Sequence, residues 1–141
     1  MSTLTAHFDL PLDESAPGWA RGVVSSVLGG WGLRDPEWGD TAMAVVSELV
    51  TNAVRHGGGQ IVLEVEAHGA QVTVSVADGS SVVPAPRSPD GTGGLGLRII
   101  EAMTLRWYVL SHEGGKKVRA ELRPCPGAGV QAGGSGRGGE A

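Results

Sequence analysis

The feature that most constrains this chain is a change of hydrophobic period at Gly57. Before it, in "DPEWGDTAMAVVSELVTNAVRH", Met43, Val46, Val50 and Val54 recur on one helical face. After it, "IVLEVEA" and "QVTVSVAD" alternate, with Ile61, Leu63 and Val65, then Val72, Val74 and Val76, each on one face of a strand. Side chains repeat every 3.6 residues in a helix and every second residue in a strand, so neither pattern can be buried in the other conformation. The chain must therefore leave a helix at the glycines from Gly57 and enter a hairpin, with "HGA" as its turn. Asp35 suits the N-cap of that helix and Pro36 its first position. Gly39 costs about 1 kcal/mol against alanine in a helix interior, which leaves a division into two pieces open.

The same reading extends outward. A first helix is expected from near Ser15, where Ala20, Val23, Val24, Val27 and Leu28 make one stripe that stops at Gly29 and Gly30. "GSSVVPAPRSPDGTGG", Gly79 to Gly94, has no period and is long for a connection, the kind of loop that usually serves function. A short helix from Leu95 to about Met103 follows, then "LRWYVLSH" and "KKVRAEL" as a second hairpin around "EGGK". Runs of strands, rather than strict alternation with helices, predict an α+β fold. The expected architecture is a two-layer sandwich, with helices on one face of a mixed, mainly antiparallel sheet. A chain of 141 residues suits one domain with one core. The folded unit is expected at residues 4–123. The stretch from Pro124, "PCPGAGVQAGGSGRGGEA", has little to bury and reads as a disordered Gly-rich tail over 124–141.

Bulk chemistry excludes several functions. A net charge of −4 gives no support to nucleic-acid binding, which needs a basic face. The lone Cys125 precludes an internal disulfide and reads as an inconsequential cytoplasmic thiol. "MSTLTAHFDLPLDESAP" lacks the basic start and apolar run of a leader, and no stretch is long enough to span a membrane. A cytoplasmic protein without membrane contact is expected. Trp19 and Trp31, on and just after the first helix, are candidates for an exposed partner surface, but burial in the core is the stronger expectation for tryptophan.

Gly91, Gly93 and Gly96 in "GTGGLGLRII" have the spacing of a dinucleotide-binding turn. Such a turn must leave a strand directly and open a helix within a βαβ unit. Here a Pro-rich loop precedes the glycines, so the Rossmann reading fails. By themselves the glycines say little. In "SELVTNAVRHG", however, Glu48 and Asn52 lie one turn apart on a helix face, with His56 continuing the line. Thr51 and Asn52 are poor mid-helix residues, a local cost that points to function. For His56 and the other histidines, surface or structural roles are expected. Asp78 ends an alternating strand before Gly79, the position of a turn or of a carboxylate at a pocket edge that accepts from an amino group such as adenine's.

Glu-x-x-x-Asn on a helix, Asp-Gly after a strand, a long loop and then Gly-x-Gly opening a helix resemble the GHKL, or Bergerat-fold, ATPase/kinase superfamily. "VVSELVTNAVRHG" is similar to the N-box of its small stand-alone branch of anti-sigma factor serine/threonine kinases. "VSVADGS" and "GGLGLRII" resemble its two glycine boxes, and "GGKKVRAEL" its closing hairpin, with Lys117 where a smaller residue is common. The likeness spans about Phe8 to Leu122. It implies a histidine kinase-like ATP-binding domain with ATP and Mg²⁺ as its cofactors. Asn52 would hold Mg²⁺ and Asp78 would select adenine. Gly94 and Gly96, with the amides of Leu95 and Leu97, would meet the phosphates at a helix N-terminus, and Glu48 would be the general base. The loop from Gly79 to Gly93 would cover the nucleotide. The implied partner is a sigma factor or an anti-sigma factor antagonist phosphorylated on serine or threonine, with a homodimer as a further expectation. The alternative is a catalytically weak ATP- or ADP-dependent module that sequesters such a partner. A complete sensor histidine kinase is not expected, because the only histidine of these motifs, His56, lies in the binding helix rather than in a phospho-acceptor helical hairpin.

Overall fold

In the computed structural model, residues 2–56, 58–80 and 95–127 are described. They form β1 (Thr3–Leu10), α1 (Ala16–Gly30), α2 (Pro36–His56), β2 (Ile61–His68), β3 (Gln71–Asp78), α3 (Leu95–Met103), β4 (Thr104–His112) and β5 (Gly115–Leu122). The sheet order is β1-β2-β3-β5-β4, and the expected mainly antiparallel pairing holds at all four interfaces. The layers are those of an α+β sandwich, with the helices against one sheet face.

The period change at Gly57 has its expected consequence. Ala42, Val45, Val46, Leu49, Val50 and Ala53 of α2 are buried against Ile61, Leu63, Val65, Val72, Val74 and Val76. Leu97 and Ile100 of α3 complete that layer. Asp35 caps α2, its Oδ2 accepting the Trp38 amide at 2.8 Å. The helix does not divide at Gly39, which sits in one continuous 21-residue segment. A Cβ there would meet nothing within 4 Å. Gly39→Ala should therefore raise stability by about 0.5–1 kcal/mol. A thermal melt that stays level or falls would show that the helix needs this glycine for another reason.

The first strand corrects the expected order, which began with a helix. Leu4, Ala6, Phe8 and Leu10 alternate along β1, which pairs with β2 from Thr3↔His68 to Leu10↔Ile61. As an edge strand it buries only Leu10 fully, so its apolar signal is diluted by Thr, His and Asp on an open edge. Two tight turns close the hairpins: Gly69 at φ 64°, and Glu113–Gly114 at φ 49° and 83°, the left-handed pair of a type I′ turn. The solvent face of the sheet carries ion pairs across strands: Lys117–Glu64, Arg119–Glu66 and Arg106–Glu121. The Arg106 hydrogen bond holds the Glu121 carboxyl below its ordinary range.

Trp19 departs from expectation. The fully buried stripe of α1 is Ala16, Ala20, Val24 and Leu28, and Trp19 lies on its flank, 62% exposed. Trp31 is half-buried against the core, as expected. Beyond β5 the chain does not leave the fold at once. Cys125, in the stretch expected to be tail, is 3% exposed, and its amide donates to Ala70 O at 3.0 Å. Trp38 Nε1 donates to Arg123 O at 2.6 Å, fixing the start of this segment on α2. No helix among the described residues is long and apolar enough to cross a membrane.

Candidate functional site

Sheet register decides what stands at the end of β3. The core side of this strand is Val72, Val74, Val76 and then Asp78. The core side of β5 is Leu122, Ala120, Val118 and then Lys116. Val76 faces Val118, and Asp78 faces Lys116 as the next pair on that side. Alternation thus carries a carboxylate and an ammonium into the helical layer, beneath the C-terminal half of α2.

There, Leu49, Asn52, Ala53 and His56 of α2 enclose a cavity with Val76, Asp78, Lys116 and Val118. Its free volume is about 10 Å³, no more than one water occupies. Asp78 and Lys116 side chains are 1% and 6% exposed, and Lys116 Nζ donates to Asp78 Oδ1 at 2.9 Å. The same oxygen accepts the Ser80 amide at 2.8 Å, an Asx turn that directs the chain away from the strand. Lys116 Nζ also donates to Ser80 O at 3.3 Å. So Asp78 is both a turn residue and a pocket residue, and its second oxygen, Oδ2, takes none of these bonds.

Glycines let the backbones converge here. The Gly79 amide donates to Gly58 O, joining the end of β3 to the segment after α2. A Cβ on Gly79 would lie 2.9 Å from Gly58 O, and one on Gly115 would lie 2.0 Å from Asp78 O. Neither position admits a side chain.

Asn52 is the other notable wall. Its Nδ2 is one of two buried side-chain polar atoms without a hydrogen-bond partner among the described residues. An orphaned buried amide is costly unless a ligand or water completes it. The two ends of the carboxamide are nearly the same shape, so a half-turn of χ2 presents Oδ1 in place of Nδ2. This donor set fits a hard cation or a polar ligand at that point.

The structure thus brings Asn52 and Asp78 into one cavity. His56, expected to be a surface or structural residue, lines it as well. Glu48 is half-buried one turn before Asn52, outside the cavity lining, and makes no hydrogen bond or ion pair among the described residues. Leu97 is buried, and Leu95 to Leu97 form the first turn of α3, whose amides have no helical acceptor. Gly94 and the expected covering loop from residue 81 onward lie outside the described residues. Lys117, flagged on sequence as a departure, points to the opposite sheet face and pairs with Glu64 at 3.3 Å, so it leaves the cavity untouched. Sequence reasoning missed Lys116, because its partner lies 38 positions away on a non-consecutive strand. A larger groove of about 610 Å³ runs along α1 beside Phe8 and Trp19, but no titratable side chain lines it. Chemistry therefore favours the small cavity.

Solved structures share this fold. The structure of the RsbU and RsbW domains of Rv1364c from Mycobacterium tuberculosis is similar at TM-score 0.65 and 22% identity, over 86% of this chain and 32% of that one. The histidine kinase domain of the blue-light activated histidine kinase EL346 from Erythrobacter litoralis matches at TM-score 0.51 and 17% identity, over 85% of this chain and 64% of that one. The chain thus spans about a third of the first and less than two thirds of the second, and at these identities the likeness establishes the fold. No curated protein sequence matches significantly. The family profile described as the histidine kinase-like ATPase domain matches residues 11–122, α1 through β5 with the whole cavity inside it, and this chain belongs to that family.

Proposed function

We propose that the chain binds Mg-ATP in the Asn52–Asp78 cavity and acts as a regulatory protein serine/threonine kinase. The observation that carries this reading is the unpartnered, buried amide of Asn52 in the same cavity as the carboxylate of Asp78. Asp78 Oδ2 would accept a hydrogen bond from adenine's exocyclic amine. Asn52, with its oxygen turned inward, would hold Mg²⁺, which supplies charge neutralisation for the phosphates. The amides of Gly96 and Leu97, with Gly94 and Leu95, would receive phosphate oxygens at the start of α3, where amides and helix dipole favour anions. Glu48 would orient, or take the proton from, the hydroxyl of an incoming serine or threonine. The closed cavity implies that its walls give way on binding. Resemblance to the anti-sigma kinase branch supports a sigma factor or an anti-sigma factor antagonist as the partner, with phosphorylation of that antagonist setting which partner is held.

Glu48 favours a second reading. Among the described residues it has no partner to orient it, as a general base would need, so the domain could bind nucleotide and partner without transfer. One experiment separates the two. Partners are captured with the protein in the presence and absence of Mg-ATP, then supplied with γ-labelled ATP. Label on a serine or threonine of the captured partner, lost with Glu48→Ala, supports the kinase; Mg-ATP-dependent capture without label supports the binding module. A hundredfold excess of Mg-ATP over its Kd should stabilise the wild type by about 2.7 kcal/mol. Asn52→Ala should lose this response, while its ligand-free stability stays within about 1 kcal/mol, since the amide removed is unsatisfied. Wild type that shows no Mg-ATP shift would end the proposal.

A further inference from the structure

We propose that Lys116 reads the base together with Asp78 and makes this site accept guanine and hypoxanthine nucleotides alongside adenine ones. The inference rests on the nucleotide-site reading above and adds a specificity to it.

A lone aspartate at the end of a base pocket is an acceptor only. It welcomes the amine of adenine and repels the carbonyl that guanine and hypoxanthine carry at the same ring position. That selectivity is strong when the site is buried, because a mismatched base leaves a polar group unpaired. Here the carboxylate does not stand alone. Lys116 Nζ lies 2.9 Å from Asp78 Oδ1, and both side chains are nearly inaccessible to solvent. Oδ1 is already occupied by the ammonium and by the Ser80 amide. Oδ2 takes neither of these bonds. The ammonium has three N–H groups, and Asp78 Oδ1 and Ser80 O use two of them. Among the described residues, one N–H therefore remains beside one carboxylate oxygen, both belonging to residues that line the cavity.

An adjacent donor and acceptor satisfy either purine edge. Adenine gives its amine proton to Oδ2 and accepts the lysine N–H at its neighbouring ring nitrogen. Guanine and hypoxanthine accept the lysine N–H at their carbonyl and give their ring N–H to Oδ2. The groups swap roles, and in either case the amine or carbonyl and the adjoining ring nitrogen are both paired. The stem of Lys116 has four rotatable bonds, so it can yield to an incoming ring while its ammonium keeps the carboxylate. Among the described residues, no side chain of the cavity excludes a carbonyl: its other walls are Leu49, Ala53, Val76 and Val118, with Asn52 and His56 at its polar side.

The test measures Kd for Mg complexes of ATP, GTP, ITP and inorganic tripolyphosphate by calorimetry on the full chain. Wild type should bind the three nucleotides within about tenfold of one another and tripolyphosphate much more weakly. Lys116→Thr, which leaves space for a water to hydrate the carboxylate, should weaken GTP and ITP about a hundredfold relative to ATP. If that variant does not fold, Lys116→Met and the wild-type ratios decide. Wild type that prefers ATP over GTP more than a hundredfold overturns the inference and leaves the ATP site standing. Tripolyphosphate binding as tightly as ATP overturns it too, because the base is then unread. A folded Lys116 variant with an unchanged ratio, or one that binds no nucleotide, removes the discriminating role. Wild type that binds none of the four ligands instead defeats the proposed function itself.

Discussion

Asp78→Asn is expected to destabilise the ligand-free protein by about 3–5 kcal/mol, the cost of stranding one member of a buried ion pair. The substitution changes charge and little else. An asparagine oxygen can still accept the Ser80 amide now held at 2.8 Å, so the turn after β3 keeps its hydrogen bond. What is lost is the counter-charge of Lys116, whose ammonium has Ser80 O as its one other acceptor among the described residues and is 6% exposed. For a domain of this size the melting temperature should fall by about 10–20 °C. Adding Lys116→Met removes the stranded charge and should recover most of that loss, because replacing both members of a buried pair is often close to neutral. The double variant should melt near wild type yet still fail to bind Mg-ATP, since the carboxylate proposed to meet adenine is gone. Thermal melts of the four proteins, with and without Mg-ATP, check each step. If Asp78→Asn alone melts like wild type, the Lys116–Asp78 bridge carries no stability. If the double variant responds to Mg-ATP, Asp78 is not the base-binding group.

How much of this was legible before the coordinates depended on how local each signal is. The α2 helix was readable because its cap, its apolar face and its glycine stop all lie within one stretch, and Asp35 does accept the Trp38 amide. The β2–β3 and β4–β5 hairpins were readable for the same reason, since each turn sits between its two alternating strands. That Asn52 and Asp78 share a cavity needed the likeness of spaced motifs, because no local pattern connects a helix residue to a strand end. Two features escaped. The alternation of Leu4, Ala6, Phe8 and Leu10 is broken by exposed polar residues, as an edge strand allows. Lys116 opens the strand in "KKVRAEL", where no local pattern marks it as buried. Its burial follows from β5 lying beside β3 rather than only beside β4, a pairing that no turn announces. Trp19 errs in the opposite direction: composition favours burial of tryptophan, but Trp19 falls on the flank of α1 beside the buried stripe of Ala16, Ala20, Val24 and Leu28 and is 62% exposed.

Gly115→Ala should be the most damaging glycine-to-alanine change among the described residues. The added carbon would fall 2.0 Å from Asp78 O, 2.7 Å from Gly79 Cα and 2.8 Å from Gly79 C. All three are backbone atoms, so no side chain can rotate aside, and one strand must lift from the other. The lift acts where Asp78 and Lys116 are Cα partners, at the site end of the β3–β5 ladder. A cost of about 3 kcal/mol is expected, at the upper end for overpacking, together with loss of the Mg-ATP response. The neighbouring glycine supplies the control. Gly114 has open space around a Cβ but a φ of 83° in the turn. Gly114→Ala should therefore cost only the 1–2 kcal/mol (roughly) of a left-handed non-glycine residue and should retain the nucleotide response. Melting curves and calorimetry on both variants distinguish contact from conformation. Equal destabilisation, or an intact Mg-ATP response in Gly115→Ala, would mean that the close approach of β5 to Asp78 and Gly79 is not what shapes the cavity.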